Sequence, residues 1–485
     1  MKCLLTSLVL CQLAFAQGYD TPLTIQGLDH NTLQSAGSRA AGGITIGIHG
    51  DPAMMFANPA SLGGLTGIRL SLGAQQQFTN AIQIQEYGPL KYYSNFSLLM
   101  EGRTGEIPDP DSIGPNPNAG DTVQRPYDAI PPNWSRAKDR ALPLQALVAV
   151  PFTFGDIPFV VGAGAVQYAD LHQYYQNNNV LTPSILSERP LPTLRPPNDS
   201  LPIIAQWSQY TRLREGSVRG YGLALAGEIP GENITVGVSG MILNGSTDDL
   251  EESIARGRLT FYTNYFRLDS VYGRRRNAGT SDYSGAEFTF SGIYRGKYLS
   301  LGVTVRPPTP ITRTYALQLS TDTTGTAAMT TVNGEDRLTL PWRGTAGLSL
   351  TLSQEVTLGL EYELRSYASA TYRRPDGSET QPWLSTSVFH AGVVYTPASW
   401  LTLRGGVRGQ AEVFEPEGNP IAGEPVSYSI YSGGCGLAWS GIRLDITYEY
   451  ASMKYQDVWG SAISSNTDRR HTIVAQVAYE LPQSW

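Results

Sequence analysis

Strict alternation of apolar and polar residues along long segments is the feature that most constrains the fold of this chain. From position 401 onward, Leu401, Leu403 and Val407 share one face, whereas Thr402 and Arg404 share the other. The same pattern recurs at 356–364, 442–450 and 473–481. A period of two is that of a β-strand with one apolar and one polar face. These strands run for about 10 to 14 residues, which is long for a soluble protein and right for a tilted membrane crossing.

The connections between the predicted strands alternate between very short and long. Short turns are predicted at 154–157, 229–231, 295–296, 353–354, 397–399 and 440–441. Long connections are predicted near 80–141, 174–215, 246–282, 307–336, 373–383, 413–426 and 456–469. These connections join about 14 strands, and an even number lets the first and last strands pair antiparallel and close a barrel. Segment 91–100 also has a strand pattern but is assigned to the first outer loop, and the choice between 14 and 16 strands stays open.

The composition agrees with a barrel of this kind. Charged residues make up 16% of the chain, below the usual quarter, and 27 Tyr stand against 13 Phe. Many Tyr and Gly with few charges are typical of strands with aromatic girdles. No apolar run of 18 residues follows the N-terminal segment, which excludes helical membrane spans. The net charge of -7 argues against nucleic-acid binding. A soluble all-β secreted protein stays an alternative at this point.

The N-terminus has the features of a secretory signal peptide. Lys2 is followed by a mostly apolar stretch to Leu13 and then by Ala14-Phe15-Ala16, which fits an A-x-A cleavage site. The apolar stretch is too short to span a membrane, so residues 1–16 are expected to be removed. Cleavage leaves Cys435 as the single cysteine, and no internal disulfide is expected.

Two helix-start signals stand in tandem between positions 50 and 65. Asp51-Pro52 and Asn58-Pro59 each place a short polar side chain before a proline, as at a helix N-cap. The apolar residues Met54 to Phe56 lie between them. Helices this short are not stable alone in water, so the segment is expected to pack inside a larger structure.

A small-residue segment at 37–43, then Asp51-Pro52-Ala53, then an N-P-A box at 58–60 precede the first predicted strand. This order resembles the N-terminal region of the FadL/TodX family of outer-membrane transporters for hydrophobic compounds. Segments 338–363 and 388–407 are similar to strand pairs of that family. One departure is that a single Asp51, preceded by Gly50, stands in place of the family's acidic pair.

The resemblance implies an all-β fold, a transmembrane antiparallel β-barrel of about 14 strands whose lumen is plugged by an N-terminal hatch of short helices. It divides the chain into a signal peptide (1–16), a hatch or plug (17–65) and a transmembrane β-barrel with long extracellular loops (66–485). It also implies passive uptake of small hydrophobic molecules, either long-chain fatty acids or aromatic hydrocarbons. These ligands bind apolar pockets and leave by lateral diffusion where the third strand kinks.

The implied hatch assigns roles to individual residues. Asp51 and Asn58 are expected to cap its short helices, and Arg39 is expected to bind luminal carboxylates. The complete hatch motif comprises Arg39, Asp51, Pro52, Asn58, Pro59 and Ala60. Inside the lumen, the candidates for lining a ligand pocket are Met54, Met55 and Phe56, with plain packing as the alternative.

The third predicted strand, 157–175, carries the candidates for the lateral opening. Gly162 and Gly164 are candidates for a kink, because glycine inside a strand commonly marks a bulge or bend. Asp170, later in the strand, is a candidate for ending the pairing. The alternative is that these glycines make room for a bulky side chain of the hatch.

Charged residues of mixed sign lie on the polar faces of the C-terminal strands. They are Glu361, Glu363, Arg365, Arg404, Arg408, Glu412, Arg443, Asp445 and Glu449. Mixed signs favour a luminal salt-bridge network that fixes the hatch over a selectivity filter of one sign. Arg274, Arg275 and Arg276 fall in a predicted outer loop and are candidates for contact with lipopolysaccharide phosphates, or for simple solvation.

The residues do not suggest an enzyme. The five histidines lie on separate segments without metal-ligand spacing, and no catalytic motif is found, so neither a metal nor a cofactor is expected.

The leading hypothesis is a monomeric channel in the outer membrane of a Gram-negative-type bacterium. Its expected partners are a hydrophobic small-molecule ligand, outer-membrane lipid and lipopolysaccharide, and no nucleic acid. The alternatives are a FadL-like protein-docking or shuttle component of a type IX secretion system, or a structural or receptor barrel. Which substrate it carries, and whether the hatch moves, stay open.

Overall fold

The computed structural model describes residues 27–29, 33–85, 133–182, 199–261, 266–269, 273–322, 327–413, 419–420, 426–459 and 462–481. The predicted signal peptide and segment 91–100 lie outside these residues. None of the helices within the described ranges is long and apolar enough to cross a membrane.

The strands occupy most of the described chain. In chain order they are β1 (Ile68–Gln85), β2 (Trp134–Phe154), β3 (Ile157–Asp170), β4 (Gln173–Thr182), β5 (Ile203–Ile229), β6 (Ile234–Phe261), β7 (Phe266–Asp269), β8 (Arg274–Arg295), β9 (Leu299–Arg306), β10 (Thr309–Asp322), β11 (Ala327–Leu340), β12 (Arg343–Thr351), β13 (Val356–Arg365), β14 (Thr371–Arg373), β15 (Glu379–Thr380), β16 (Thr386–Ala398), β17 (Leu401–Ala411), β18 (Asn419–Pro420), β19 (Ser427–Trp439), β20 (Ile442–Trp459) and β21 (Ala462–Leu481). The helical elements of the described residues are α1 (Ala36–Ala40) and three 3₁₀ turns, Pro52–Met54, Pro59–Leu62 and Tyr367–Ser369.

The wall strands close into an antiparallel barrel of 14 strands, as predicted from the connections. Strand β1 pairs with β2 on one side and with β21 on the other, which joins the two ends of the sheet. Two wall strands are interrupted: β9 continues as β10 after 307–308, and β11 continues as β12 after 341–342. The five extra strands are β4, β7, β14, β15 and β18. The short turns lie at one end of the barrel, called here the short-turn end, and the opposite end is called the loop end.

The outward face of the barrel is apolar near the short-turn end and polar near the loop end. On β6, Val236, Val238 and Ile242 are exposed, whereas Asn244 and Ser246 continue the same exposed face. Exposed apolar side chains at a similar distance from the short turns form a ring, called here the apolar belt, that includes Leu72, Leu223, Phe290, Leu360, Tyr431 and Val477. A lipid bilayer covers such a ring, whereas a soluble barrel would expose it to water.

Several wall strands extend further beyond the apolar belt than the sequence predicts. Strands β6 and β8 stay paired from Ile234–Tyr294 to Ile254–Arg274. The prediction that Arg274, Arg275 and Arg276 lie in an outer loop is therefore wrong, because they begin β8. Both faces of these extensions carry polar residues, so the alternation that marks a strand is absent there.

Residues 33–65 fold inside the barrel and form its plug. The Ser35 hydroxyl oxygen accepts a hydrogen bond from the Ser38 backbone N–H at 3.1 Å and caps α1. The residues of α1 and of the two following 3₁₀ turns, Pro52–Met54 and Pro59–Leu62, are all buried. The predicted short helices are therefore present, and the surrounding wall supplies the packing that such short elements lack in water.

The two predicted caps behave differently. Asp51 Oδ1 accepts a hydrogen bond from the Ala53 backbone N–H at 3.0 Å and caps the first 3₁₀ turn. The prediction of an Asn58 cap is wrong, because the Asn58 side chain makes no capping hydrogen bond. Its Nδ2 instead donates to Thr45 Oγ1 at 3.2 Å. Folding inside the lumen brings this hydroxyl within reach, and the contact ties two parts of the hatch together.

Candidate functional site: the plugged lumen and a gap in the wall

Arg39 ties the hatch to the barrel wall. Its Nε donates to Glu449 Oε2 at 3.1 Å, and its Nη1 donates to Gln75 Oε1 at 3.0 Å. Arg408 donates to the second Glu449 oxygen at 2.6 Å. The side chains of Arg39 and Glu449 are 7% and 5% exposed, so water hardly screens this pair. The luminal carboxylate that the sequence predicts for Arg39 is that of Glu449.

A second carboxylate holds the hatch segment that follows α1. Glu361 Oε1 accepts a hydrogen bond from the Ile46 backbone N–H at 2.7 Å, and Oε2 accepts one from Thr45 Oγ1 at 3.1 Å. The Glu361 side chain is buried. A buried carboxylate is tolerated when donors surround it, and here the donors belong to the hatch.

The remaining predicted network residues lie on the luminal side in small groups. Arg404 and Arg443 both contact the Asp445 carboxylate, at 2.7 Å and 2.8 Å. Further contacts join Arg365 to Glu363 at 3.0 Å and Glu412 to the Tyr428 hydroxyl at 3.4 Å. Arg404 touches the hatch, because Gly37 packs against its guanidinium. His390, which lies 3.7 Å from Glu363, also touches it, through a contact of 2.8 Å between its Nδ1 and Gly42 O.

One contact between wall and hatch, made by Arg306 and supported by Glu287, was not predicted from the sequence. Glu287 on β8 is fully buried between Arg343, at 2.7 Å, and Arg306, at 3.6 Å, and it accepts a hydrogen bond from the Tyr168 hydroxyl at 2.8 Å. Arg306 in turn donates to the Ala57 carbonyl of the hatch at 2.9 Å. Glu287 precedes the outward residues Phe288 and Phe290 in an alternating stretch, so the same pattern used for the C-terminal strands would have revealed it.

The apolar hatch residues pack against the wall formed by β2 and β3. Met54, Met55 and Phe56 are buried in one core cluster with wall residues such as Leu147 and Val160. Among the described residues, these three side chains do not line the cavity beside the hatch anchor or the smaller one beside Glu361. A Cβ atom at Gly162 would lie 2.9 Å from Met55 Cε, so the small size of Gly162 accommodates a bulky hatch side chain.

The wall has a gap between its second and third strands, in the half toward the loop end. Pairing of β2 with β3 runs from Phe154–Ile157 to Gln145–Val166 and stops there. Beyond that point β2 pairs with β1 alone, and β4 pairs with β5 alone. Gly162 and Gly164 lie in the paired part below the gap, the register on β5 shifts between Gln167 and Ala169, and Asp170 ends β3.

Side chains bridge this gap without backbone pairing. The bridging residues, called here the seam, are Trp134, Arg136, Lys138 and Arg140 on β2 and Asp170, His172, Tyr174 and Glu215 opposite them. Arg140 forms an ion pair with Asp170, and Lys138 forms one with Glu215. The Arg136 guanidinium lies 3.7 Å from the centre of the Tyr174 ring, and Trp134 meets the same ring edge-on at 5.7 Å.

A cavity of about 330 Å³ reaches from the hatch anchor to the seam. Charged residues share its lining with apolar and aromatic side chains such as Ile82, Trp134 and Met453. The cations in the lining are Arg39, Arg136, Lys138, Arg140, Arg214, Arg365, Arg408 and Arg470, against the carboxylates of Asp170, Glu412, Glu449 and Asp468. His172 lies between β3 and β4 beyond the apolar belt, where burial and the charges of Arg140 and Lys138 lower its pKa to about 4. The described residues contain no group of three or more side chains suited to a metal ion.

Comparison with known proteins shows similarity in structure. No protein-family model and no curated protein sequence matches the chain. The CymD monoaromatic hydrocarbon channel superposes with a TM-score of 0.51 at 13% identity, over 96% of this chain and 99% of that one. A FadL homologue from Pseudomonas aeruginosa gives 0.56 at 12% identity, over 95% and 100%. The P. putida toluene transporter TodX gives 0.56 at 12% identity, over 93% and 100%. The chain therefore has the FadL/TodX-like fold over nearly its whole length.

Proposed function

We propose that this chain is an outer-membrane channel that passes small hydrophobic molecules down their concentration gradient and releases them sideways through the gap between β2 and β3. The observation that carries this proposal is the gap itself. A closed barrel satisfies its backbone hydrogen bonds between neighbouring strands, so a wall that stops pairing over many residues calls for a functional reason.

The arrangement of the hatch supports a sideways route. Arg39, Glu361 and Arg306 connect the hatch to the wall through buried charged contacts. Breaking such contacts by withdrawing the plug would leave buried charges unpaired, which is strongly unfavourable. Movement through the seam needs the rearrangement of a few side chains near the loop end and leaves the hatch in place.

The position of the gap relative to the apolar belt also supports the proposal. Val166, the last β3 residue paired with β2, is in register with Gly220, which is in register with Leu243. Leu243 lies between the exposed Ile242 and Asn244, where the outward face of β6 changes from apolar to polar. A molecule that leaves through the gap would therefore enter a bilayer around the belt near its outer boundary.

The structural neighbours add support from their own functions. CymD is a monoaromatic hydrocarbon channel and TodX is a toluene transporter. By analogy we place this chain in the outer membrane of a Gram-negative-type cell, as a monomeric barrel in contact with lipid and lipopolysaccharide, and we assign it transport without a chemical step. Long-chain fatty acids and aromatic hydrocarbons are the two substrate classes considered. Among the described residues, no observation specifically favours the shuttle or receptor alternatives.

Cross-linking across the gap tests the proposal. In a Cys435→Ser background, Arg140→Cys and Asp170→Cys place one thiol on each side of the gap, and a bis-maleimide joins them. Reconstituted into liposomes, the protein without cross-linker should take up a fluorescent fatty acid or toluene faster than empty liposomes do, and cross-linking should abolish this gain. The matched controls are the two single-cysteine variants treated with the same reagent. Uptake equal to that of empty liposomes, or unaffected by the cross-link, would contradict the proposal.

A further inference from the structure

The outward face of β20 and β21 changes from aliphatic to aromatic to cationic toward the loop end. Ile446 and Ile473 belong to the apolar part and are 41% and 43% exposed. Tyr448, 47% exposed, is in register with Ile473. Lys454 and Arg469 follow further toward the loop end on the same outward face, and both are exposed. Aromatic residues concentrate where the hydrocarbon of a membrane meets its head groups, so the two cations lie at the level of the head groups.

An aromatic row marks this boundary on three neighbouring strands. His471 on β21 is in register with Tyr450 on β20 and with Phe78 on β1. The centre of its ring lies 5.0 Å from that of Tyr450, and its Nδ1 lies 2.7 Å from the Tyr448 hydroxyl oxygen. Phe78 is 43% exposed on the same face. These rings form one outward surface with apolar bodies and polar edges, which suits the interface between hydrocarbon and head groups.

Arg469 and Lys454, called here the outer cation pair, have no acidic partner on their face. Arg469 is in register with Ser452, two residues before Lys454, so the two cations are diagonal neighbours. Diagonal neighbours lie about 7–8 Å apart, within reach of a single phosphate between two long side chains. In the described part of the chain, neither cation has a carboxylate within ion-pair distance. Asp468, next to Arg469 in sequence, pairs with Arg470 and lines the luminal cavity.

Neutral polar side chains surround the outer cation pair. Asn80 on β1 and Ser452 on β20 are in register with Arg469, and Thr467 on β21 is in register with Lys454. All three are partly exposed. Amide and hydroxyl groups can exchange hydrogen bonds with the hydroxyls of a sugar. A phosphate monoester carries about two negative charges near neutral pH, which matches the two unpaired cations, whereas a phosphodiester carries one.

We propose that the outer cation pair is a docking site for a saccharolipid of the membrane's outer leaflet, bound through a phosphate monoester on its sugar. The phosphate lies between Arg469 and Lys454, the sugar contacts the neutral polar residues, and the acyl chains lie along the apolar belt. Because β1 and β21 close the barrel, a lipid bound across them also holds the closing strands together. This inference rests on the outer-membrane placement in the proposed function and does not depend on transport.

Binding of matched lipids to the full chain in detergent micelles tests the inference. The probes are lipid A with its phosphate monoesters, the same lipid A after enzymatic removal of the phosphates, phosphatidylglycerol as a phosphodiester, and inorganic phosphate. Apparent dissociation constants come from native mass spectrometry. We expect phosphorylated lipid A to bind about tenfold or more tightly than the dephosphorylated form, because each cation near a membrane surface contributes about fivefold. Higher ionic strength should reduce this difference.

Variants locate the site. Arg469→Gln and Lys454→Gln should each weaken the binding of phosphorylated lipid A by about fivefold and leave that of the dephosphorylated form unchanged. Arg219→Gln is the matched control, because Arg219 is also exposed on the outward face beside Tyr221, but its register partner is the neutral Asn244. It should bind every probe like the parent. Phosphorylated lipid A should raise the thermal unfolding midpoint of the parent and of Arg219→Gln more than that of the two site variants, which also shows that each variant is folded.

Each contrary outcome overturns a defined part of the inference. Equal binding of both lipid A forms would show that no phosphate is recognised. Phosphatidylglycerol as tight as lipid A would show that the monoester and sugar are not needed, and inorganic phosphate as tight would show a free-anion site. Equal losses in Arg469→Gln and Arg219→Gln would place the site elsewhere.

The result is independent of the uptake assay with the cross-linked gap. Selective lipid A binding without uptake into liposomes would contradict the channel and support the docking site. Uptake without selective lipid A binding would support the channel and contradict the docking site.

Discussion

The hatch and the seam are both held by ion pairs between basic side chains and carboxylates, yet the two regions differ in burial. Arg39 and Glu449, which anchor the hatch, are less than a tenth exposed, whereas Lys138 and Glu215 in the seam are 29% and 47% exposed. Loss of one partner of a buried ion pair is strongly destabilising, whereas loss of one partner of an exposed pair changes stability little. The same kind of ion pair is therefore strongly held at the hatch anchor and can open more easily in the seam.

The backbone pairing of the wall also differs between the two regions. The wall behind the hatch is continuously paired, and it approaches the plug so closely that Gly392 and Gly406 meet hatch backbone. The wall at the seam has lost its strand pairing, and side chains alone bridge it. A barrel can thus keep its plug in place while one part of its wall stays adjustable.

The largest expected effect is at the hatch anchor. Glu449→Ala leaves Arg39 and Arg408 buried without their shared carboxylate, and we expect a loss of about 3–5 kcal/mol in the free energy of unfolding. The measurement is urea-induced unfolding in detergent, followed by tryptophan fluorescence. Glu480→Ala is the control, because the Arg69–Glu480 pair is 20% and 31% exposed, and it should lose less than about 1 kcal/mol. Equal losses would show that burial does not distinguish the two pairs.

A smaller effect is expected from the fit of hatch and wall. A Cβ at Gly406 would lie 2.2 Å from the Gly42 backbone nitrogen, whereas one at the neighbouring Gly405 would lie 3.8 Å from its nearest contact, Val393. Gly406→Ala should therefore lower the free energy of unfolding by about 1–3 kcal/mol, and Gly405→Ala should leave it nearly unchanged. The same urea titration checks both. An unchanged free energy of unfolding in Gly406→Ala would mean that the hatch can move away from the wall. The hatch would then not be more closely fitted than the seam.

The smallest effect is expected in the seam. A double-mutant cycle with Arg140→Gln and Asp170→Asn should give a coupling free energy below about 1 kcal/mol that shrinks as salt is added. The parallel cycle with Arg39→Gln and Glu449→Gln should give a clearly larger value that salt hardly changes. A seam coupling as large as that of the hatch anchor would identify the seam as a permanent part of the wall.

Much of the architecture could be predicted from local pattern. The period-two alternation located the wall strands, and the rule of even closure led to the count of 14. The same alternation placed residues such as Glu361 and Glu449 on the luminal side, and both side chains are buried. The tandem Asp51-Pro52 and Asn58-Pro59 signals located two short turns at the right positions. Each of these features depends on neighbours within a few residues along the chain.

The errors arose where distant parts of the chain meet. The Asn58 side chain bonds to Thr45 and not to its own turn, because the folded hatch brings that hydroxyl close. Arg274 begins a strand whose partner is supplied by β6 and whose outward face is no longer apolar. For the glycines of the third strand, the sequence left a kink and room for a hatch side chain as alternatives. Gly162 lies in fully paired wall and accommodates Met55, while pairing with β2 stops further along β3, after Val166.

The sequence by itself indicated about 14 strands and the inward and outward faces of those strands, because a side chain's face follows from its position in a strand of period two. The family resemblance added a plug before the first strand. Only the tertiary structure decided which carboxylate receives which arginine, where β2 and β3 part, and that the cavity behind the gap is cationic. These properties depend on how residues hundreds of positions apart share one lumen, as Arg39 and Glu449 do. The position of each ion pair in this lumen sets its burial. Burial in turn determines which ion pairs are strongly held and which can open.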